Sequence, residues 1–288
     1  MQFHYPYTVH KLTISNGCDI AYIDEGKGDK TLLFIHGLAT YAPSWRKNIE
    51  SLKQHYRCIA IDLPGNGLSG RGDYAYGINF FAGCVYDFIR RMQLKNLAIV
   101  GHSMGGQIAL TVLANEPAAA EKLVLCAPAG FEVFTAIERT LYTSGLYFFD
   151  LFSSDENSLR QTIQSSFYNF VQEGRLMTDE LVALMRKYPH KAYRAMIEAC
   201  IHGMLHEPVY DALPRIQQPT LVLFGEYDAL IPNRFIHHTT TRQLAEEGVK
   251  RMPHAQLEIL PNCGHFLQIE KADVVNTFIR NFVGEVKS

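Results

Sequence analysis

The sequence predicts an α/β fold: a mostly parallel central sheet flanked by helices, with a helical cap inserted after the sixth strand. Three observations predict it. Short apolar runs alternate with helix-periodic segments, as in successive βαβ units. Most of those runs are unbroken, as in strands buried on both faces. One long stretch, 131–213, breaks the alternation with helix-like, aromatic-rich sequence.

The elements follow in order. Val9–Ser15 and Ile20–Asp24 alternate around Asn16-Gly17, the signature of an antiparallel hairpin. Thr31–Ile35 is an apolar run stopped by His36-Gly37, and Arg57–Ile61 ends at Asp62-Leu63-Pro64-Gly65. Leu97–Val100 ends at Gly101, Lys122–Cys126 at Ala127-Pro128, Thr220–Phe224 at Gly225 and Ala255–Leu260 at Pro261. Helical periodicity runs through Ile78–Met92, Gln107–Asn115 and a C-terminal segment bearing Val274, Val275, Phe278, Ile279 and Phe282. Residues 1–130 and 214–288 are therefore expected to form the core, and 131–213 a lid over the C-terminal edge of the sheet.

At 288 residues, 47% hydrophobic and 19% charged, the chain can bury a sizeable core. A net charge of −2 supplies no field to recruit nucleic acid or an anionic membrane. Pairs such as Arg90-Arg91 and Lys250-Arg251 are solvated faces. Six scattered cysteines suit reduced, mostly buried thiols better than a disulfide framework or a zinc site, and no metal or other cofactor is expected. Met1-Gln2-Phe3-His4-Tyr5-Pro6 lacks a basic start followed by an apolar run, and no stretch reaches the roughly 18 apolar residues of a membrane span. A cytoplasmic location is the default expectation. The sequence carries no signal for oligomeric state.

Gly101-His102-Ser103-Met104-Gly105 matches Gly-x-Ser-x-Gly. The pattern alone arises by chance in roughly one chain in ten of this length. Its setting is more specific, because it joins a buried strand directly to a helix. So tight a turn needs minimal neighbours, which Gly101 and Gly105 provide, and it pushes the Ser103 hydroxyl out above the sheet. The bland alternative is a serine that merely caps the helix.

With these residues in view, the chain resembles the α/β-hydrolase superfamily, specifically lidded serine members related to small esterases, C–C bond hydrolases and cofactor-free haloperoxidases. The likeness spans about residues 10–283. It rests on Phe34-Ile35-His36-Gly37, Asp62 to Ser69, Gly101 to Gly106, Gly225-Glu226-Tyr227-Asp228 and Asn262-Cys263-Gly264-His265. The segments are specific for the fold and weakly informative about substrate, and the lid carries no matching motif.

A serine hydroxyl needs a base to take its proton. Of twelve histidines, His265 alone follows the final strand on a short loop, and it completes the order Ser…Asp…His. His102 adjoins Ser103 and should point away from it. His237 and His238 fall in a helix-like stretch, His254 precedes the last strand, and His190, His202 and His206 lie in the lid. Asp228, just past the Thr220–Phe224 strand, is the expected acid, with Pro232 helping to start the next helix. Glu226 is the runner-up, since the turn Ala127-Pro128-Ala129-Gly130 after the preceding strand has no carboxylate. The Met104 backbone N–H, at a helix start, should serve the oxyanion. The resemblance implies the Leu38 N–H as second donor and a structural role for His36.

Aromatics crowd 131–170: Phe131, Phe134, Tyr142, Tyr147, Phe148, Phe149, Phe152, Phe167, Tyr168 and Phe170. Most should pack the lid, with a few facing a largely apolar pocket. Arg139, Arg160, Arg175 and Arg186 are candidate carboxylate anchors. Trp45 should pack near the pocket or anchor the first helix. The reading is a serine hydrolase of a small or medium, largely apolar carboxylic ester, lactone or thioester, acting through an acyl-enzyme. A C–C bond hydrolase of a diketone-type substrate is the alternative, disfavoured because His36-Gly37-Leu38-Ala39-Thr40 is not a longer glycine run. A small-molecule receptor with slow turnover is another. Serine at 103 argues against epoxide hydrolases and dehalogenases, which use aspartate.

Overall fold

The computed structural model describes residues 5–144, 155–188 and 190–284. The expected apolar runs form a single sheet of β1 (His10–Thr13), β2 (Asp19–Glu25), β3 (Thr31–Ile35), β4 (Arg57–Ile61), β5 (Leu97–His102), β6 (Lys122–Cys126), β7 (Thr220–Gly225) and β8 (Ala255–Leu260). Their spatial order is β1-β2-β4-β3-β5-β6-β7-β8, antiparallel only where β2 meets β1 and β4. The hairpin turns where expected, with Gly17 at φ 82° and the Asn16 side chain accepting the Cys18 N–H.

Strand β3 lies between β4 and β5, and its residues Ile35 and Phe34 stand opposite Gly101 and Val100. The chain leaves β3 for one side and returns for the other, so the C-terminal ends of β3 and β5 flank the crevice where open α/β sheets bind ligands. Residues 31–35 and 97–102 are buried throughout. Strand β8 departs from the expectation of burial on both faces. It is the sheet edge, Gln256 and Glu258 are exposed, and its burial alternates.

Helices α1 (Arg46–Leu52), α2 (Ile78–Arg91) and α3 (Met104–Asn115) follow β3, β4 and β5 in turn, and α3 packs on β3, β5 and β6. Helix α3 is buried from Met104 to Leu113, and Ile108, Leu110 and Leu113 each contribute about 1.5–3 kcal/mol of burial. Between β6 and β7 the described residues form no strand but α4 (Ala136–Ser144), α5 (Glu156–Ser165), α6 (Gln172–Met185) and α7 (His190–His206). Gln107 on α3 donates to the Met204 and Glu207 carbonyls at the end of α7. Glu180 of α6 takes hydrogen bonds from Tyr41 and Arg46 of the core. Tyr147, Phe148, Phe149 and Phe152 lie outside the described residues. The chain closes with α8 (Thr241–Lys250), the single turn α9 (Leu267–Glu270) and α10 (Ala272–Val283).

No helix follows Pro232 directly, contrary to expectation, and His237 and His238 are not helical. Side chains fix the backbone there: Asp228 accepts from the Leu230 and Ile231 amides, and Glu132 from that of Asn233. The helix waits for Thr240, which forms a capping box with Gln243. All six cysteines are buried and unbonded. Among the described residues no helix is long and apolar enough to cross a membrane.

Candidate active site

Ser103 sits between β5 and α3 at φ 53°, ψ −119°, a backbone conformation costly for any residue with a Cβ. The glycines around it are forced by contact. A Cβ at Gly105 would lie 2.4 Å from the Ile35 carbonyl oxygen, and one at Gly101 2.5 Å from that of Gly105. The turn is further pinned by Ser103 N–H donating to the Cys126 carbonyl (3.0 Å) and Ala129 N–H donating to the Ser103 carbonyl (3.0 Å). Met104 opens α3, so its amide has no carbonyl of its own helix to meet.

His265 follows β8 on the loop Pro261–Gly264. Two short loops, one after β7 and one after β8, are knitted together: Tyr227 N–H donates to the Cys263 carbonyl and Glu226 N–H to that of Leu260, both at 2.9 Å. The close approach leaves no room at Gly225, where a Cβ would lie 2.2 Å from the Gly264 oxygen. Asp228 is fully buried, and its Oδ2 stands 2.9 Å from His265 Nδ1. Its Oδ1 accepts the Leu230 and Ile231 amides at 2.8 and 3.0 Å. One carboxylate oxygen is thus fixed by backbone and the other is left to the imidazole. Glu226 instead accepts weakly from the Asn262 amide at 3.4 Å on the surface.

Ser103, His265 and Leu38 border one cavity of about 90 Å³, whose walls are mostly apolar. Phe134, Ile201, Met204, Leu205, Leu230 and Phe266 supply much of that wall. Ser103 and His265 share the cavity without a hydrogen bond between their side chains, a bond that in ligand-free sites commonly tightens only with substrate.

His102, expected to point away from Ser103, packs its ring 4.8 Å from that of His265. It borders the cavity, its Nε2–H donates to the His265 carbonyl at 3.0 Å, and its Nδ1 has no partner. Burial, with His265 alongside, holds it well below the ordinary histidine range. His36 is structural: Nδ1–H donates to the Gly37 carbonyl (2.8 Å), and Nε2 accepts the Leu63 amide (3.0 Å). Burial lowers its pKa to about 4. Trp45 is buried against Phe34 at the start of α1 and does not border the cavity.

None of the four candidate arginine anchors reaches the cavity. Arg160 pairs with Asp179 (2.6 Å), Arg186 with Glu156 (2.5 Å), and Arg175 lies over the Phe170 ring. Of the described aromatics in 131–170, Phe134 and Tyr142 border the cavity, while Phe167 stacks at 4.9 Å on Phe266, which follows His265. Glu132 was not foreseen. It lies two residues beyond the turn after β6, borders the cavity, and holds His237 Nδ1 at 2.6 Å. A carboxylate so soon after a central strand was the available signal.

Comparison with known proteins agrees with the fold. The family model described as alpha/beta hydrolase fold matches residues 30–272. A solved structure described as a probable hydrolytic enzyme from Pseudomonas aeruginosa PAO1 is 28% identical. It superposes with a TM-score of 0.85, covering 98% of this chain and 96% of that one. The pimeloyl-[acyl-carrier protein] methyl ester esterase of Nitrosospira multiformis is 27% identical over 91% of this chain and 96% of its own. The 2-hydroxy-6-oxo-6-(2'-aminophenyl)hexa-2,4-dienoic acid hydrolase of Metapseudomonas resinovorans is 26% identical over 91% of this chain and 86% of its own.

Proposed function

The chain belongs to the α/β hydrolase fold family, and from that premise we propose that it hydrolyses small, largely apolar carboxylic esters, lactones or thioesters through an acyl-enzyme on Ser103. The observation that carries the reading is a buried Asp228–His265 pair bordering the same apolar cavity as a strained serine at a helix start.

The roles follow from the atoms. Asp228 occupies His265 Nδ1, so Nε2 is the nitrogen left to take the Ser103 proton. The freed Oγ attacks the carbonyl carbon, and the Met104 and Leu38 amides stabilise the oxyanion, each worth about 10²–10³ in rate. His265 then returns the proton to the leaving alcohol. Water, deprotonated by the same nitrogen, releases the acid. Residues 131–213 act as the cap and 1–130 with 214–288 as the core, since the cavity takes Ile201, Met204 and Leu205 from α7 and the reacting groups from the sheet. A cavity of about 90 Å³ is smaller than the roughly 150 Å³ that admits a benzene ring, which favours a short acyl or alcohol group.

Cleavage of a C–C bond in an anionic keto acid fits less well. Among the described residues, those that border the cavity include no lysine or arginine to meet a substrate carboxylate. Turnover on a graded series of p-nitrophenyl esters, beside a lactone and a vinylogous diketone, tests the reading. Repeated turnover is expected on short neutral esters, declining with chain length. Turnover confined to the diketone, or arrest after one event per chain, contradicts it.

A further inference from the structure

The wall of the cavity holds one carboxylate that the proposed mechanism does not use. Glu132 is anchored through a single oxygen: Oε1 accepts the Asn233 amide at 2.8 Å and faces His237 Nδ1 at 2.6 Å. His237 is itself held from the other side, its Nε2 lying 3.6 Å from Glu138 Oε1. Oε2 of Glu132 has no hydrogen-bond partner among the described residues, although the side chain is only 9% exposed. A carboxylate this little exposed, with no donor on its second oxygen, is costly, and such groups are ordinarily satisfied. The residue borders the cavity that Ser103 and His265 share.

The surroundings sharpen what that ligand should carry. Phe134 and Tyr142, which also border the cavity, lie edge to face at 5.5 Å. Phe134 packs 5.0 Å from the His237 ring. Aromatic rings beside a carboxylate suit a cationic or hydroxylated group better than an anion. Burial, with Asp228 nearby, raises the Glu132 pKa above the ordinary carboxylate range, while His237 and the Asn233 amide work in the opposite sense.

We propose that Glu132 Oε2 is a specificity-determining acceptor, which makes the preferred substrate an ester bearing a hydroxyl or ammonium group and excludes esters bearing a second carboxylate. The inference deepens the esterase reading by naming the substrate class. It rests on that reading for the word substrate, not for the binding preference.

The test therefore reads binding without turnover. Butan-1-ol, butylammonium and butyrate are titrated at pH 8, to favour the ionised carboxylate, and followed through the methyl resonances of Met204 and Ile201 in the cavity wall. Wild type should bind the alcohol and the ammonium at least tenfold more tightly than butyrate, and Glu132→Gln should narrow that ratio to threefold or less. Butyrate binding as tightly as butylammonium to wild type overturns the proposal, as does an unchanged ratio in Glu132→Gln. The wild-type series decides it even if the variant folds poorly. Hydrolysis of p-nitrophenyl butyrate and its loss in Ser103→Ala, measured separately, report on the esterase reading alone.

Discussion

Asp228 and Glu226 stand two residues apart on one loop, and their surroundings separate them completely. Asp228 is buried, with one oxygen fixed by two amides and the other on His265 Nδ1, whereas Glu226 is exposed and makes one long bond to the Asn262 amide. An amide at 228 can keep the two backbone contacts through its oxygen but presents NH2 to the imidazole, which reverses the tautomer the base needs. Asp228→Asn is accordingly expected to lower kcat by about 10³–10⁴ with little change in melting temperature, while Glu226→Gln leaves kcat within about twofold. Steady-state kinetics and thermal unfolding of the pair check this, and the reverse pattern would move the acid to 226. The positions of Ser103, Asp228 and His265 just past strand ends were legible because covalent spacing around those ends constrains them. His102 and Glu132 were not. Their places depend on which loop folds over them, and the His265 carbonyl that takes the His102 proton lies 163 residues away.

At the level of elements, β3, β4, β6 and β8 have the bounds expected from their apolar runs, and β5 and β7 extend only as far as His102 and Gly225. A continuous aliphatic run flanked by glycine or proline has few alternatives in a sheet covered on both sides. The errors came where side chains compete for backbone groups. After β7, the carboxylates of Asp228 and Glu132 accept the Leu230, Ile231 and Asn233 amides, and the chain past Pro232 runs in turns until Thr240. Edge position was equally invisible for β8, since nothing in Ala255–Leu260 states that no strand lies beyond it. The packing of the cap onto the base loop was another such case. His265 N–H donates to the Ser166 carbonyl at 2.8 Å, and a Cβ at Gly264 would lie 2.6 Å from that same oxygen. The loop that carries His265 is thus built jointly by the sheet and the segment between β6 and β7.

For the whole molecule, burying ionisable groups near the crevice couples stability to pH. His36 falls to about 4, below its ordinary value of 6.5, and His102 lies well below that ordinary value, both chiefly through burial. Between pH 6.5 and about 4 the unfolded chain binds protons that these folded rings refuse, so their contribution is present above 6.5 and is lost as pH falls. Asp62 works in the opposite sense. Burial raises it from 3.8 to about 6, so its contribution is present in acid and is lost as pH rises through that value. It offsets one of the two histidines. The urea midpoint should therefore fall from pH 7.5 to 5, with each group limited to about 1.4 kcal/mol per pH unit. His36→Asn should lower the midpoint at pH 7.5 and show a shallower decline, and an undiminished slope in that variant would remove His36 as a cause. All of this serves one arrangement, in which loops after β3, β5, β7 and β8 meet above a single sheet. The most direct test of its central claim is mass-spectrometric mapping of a fluorophosphonate adduct. The account predicts one adduct, on Ser103, and none on Ser103→Ala; equal labelling of that variant, or an unmodified Ser103 in active wild type, would contradict it.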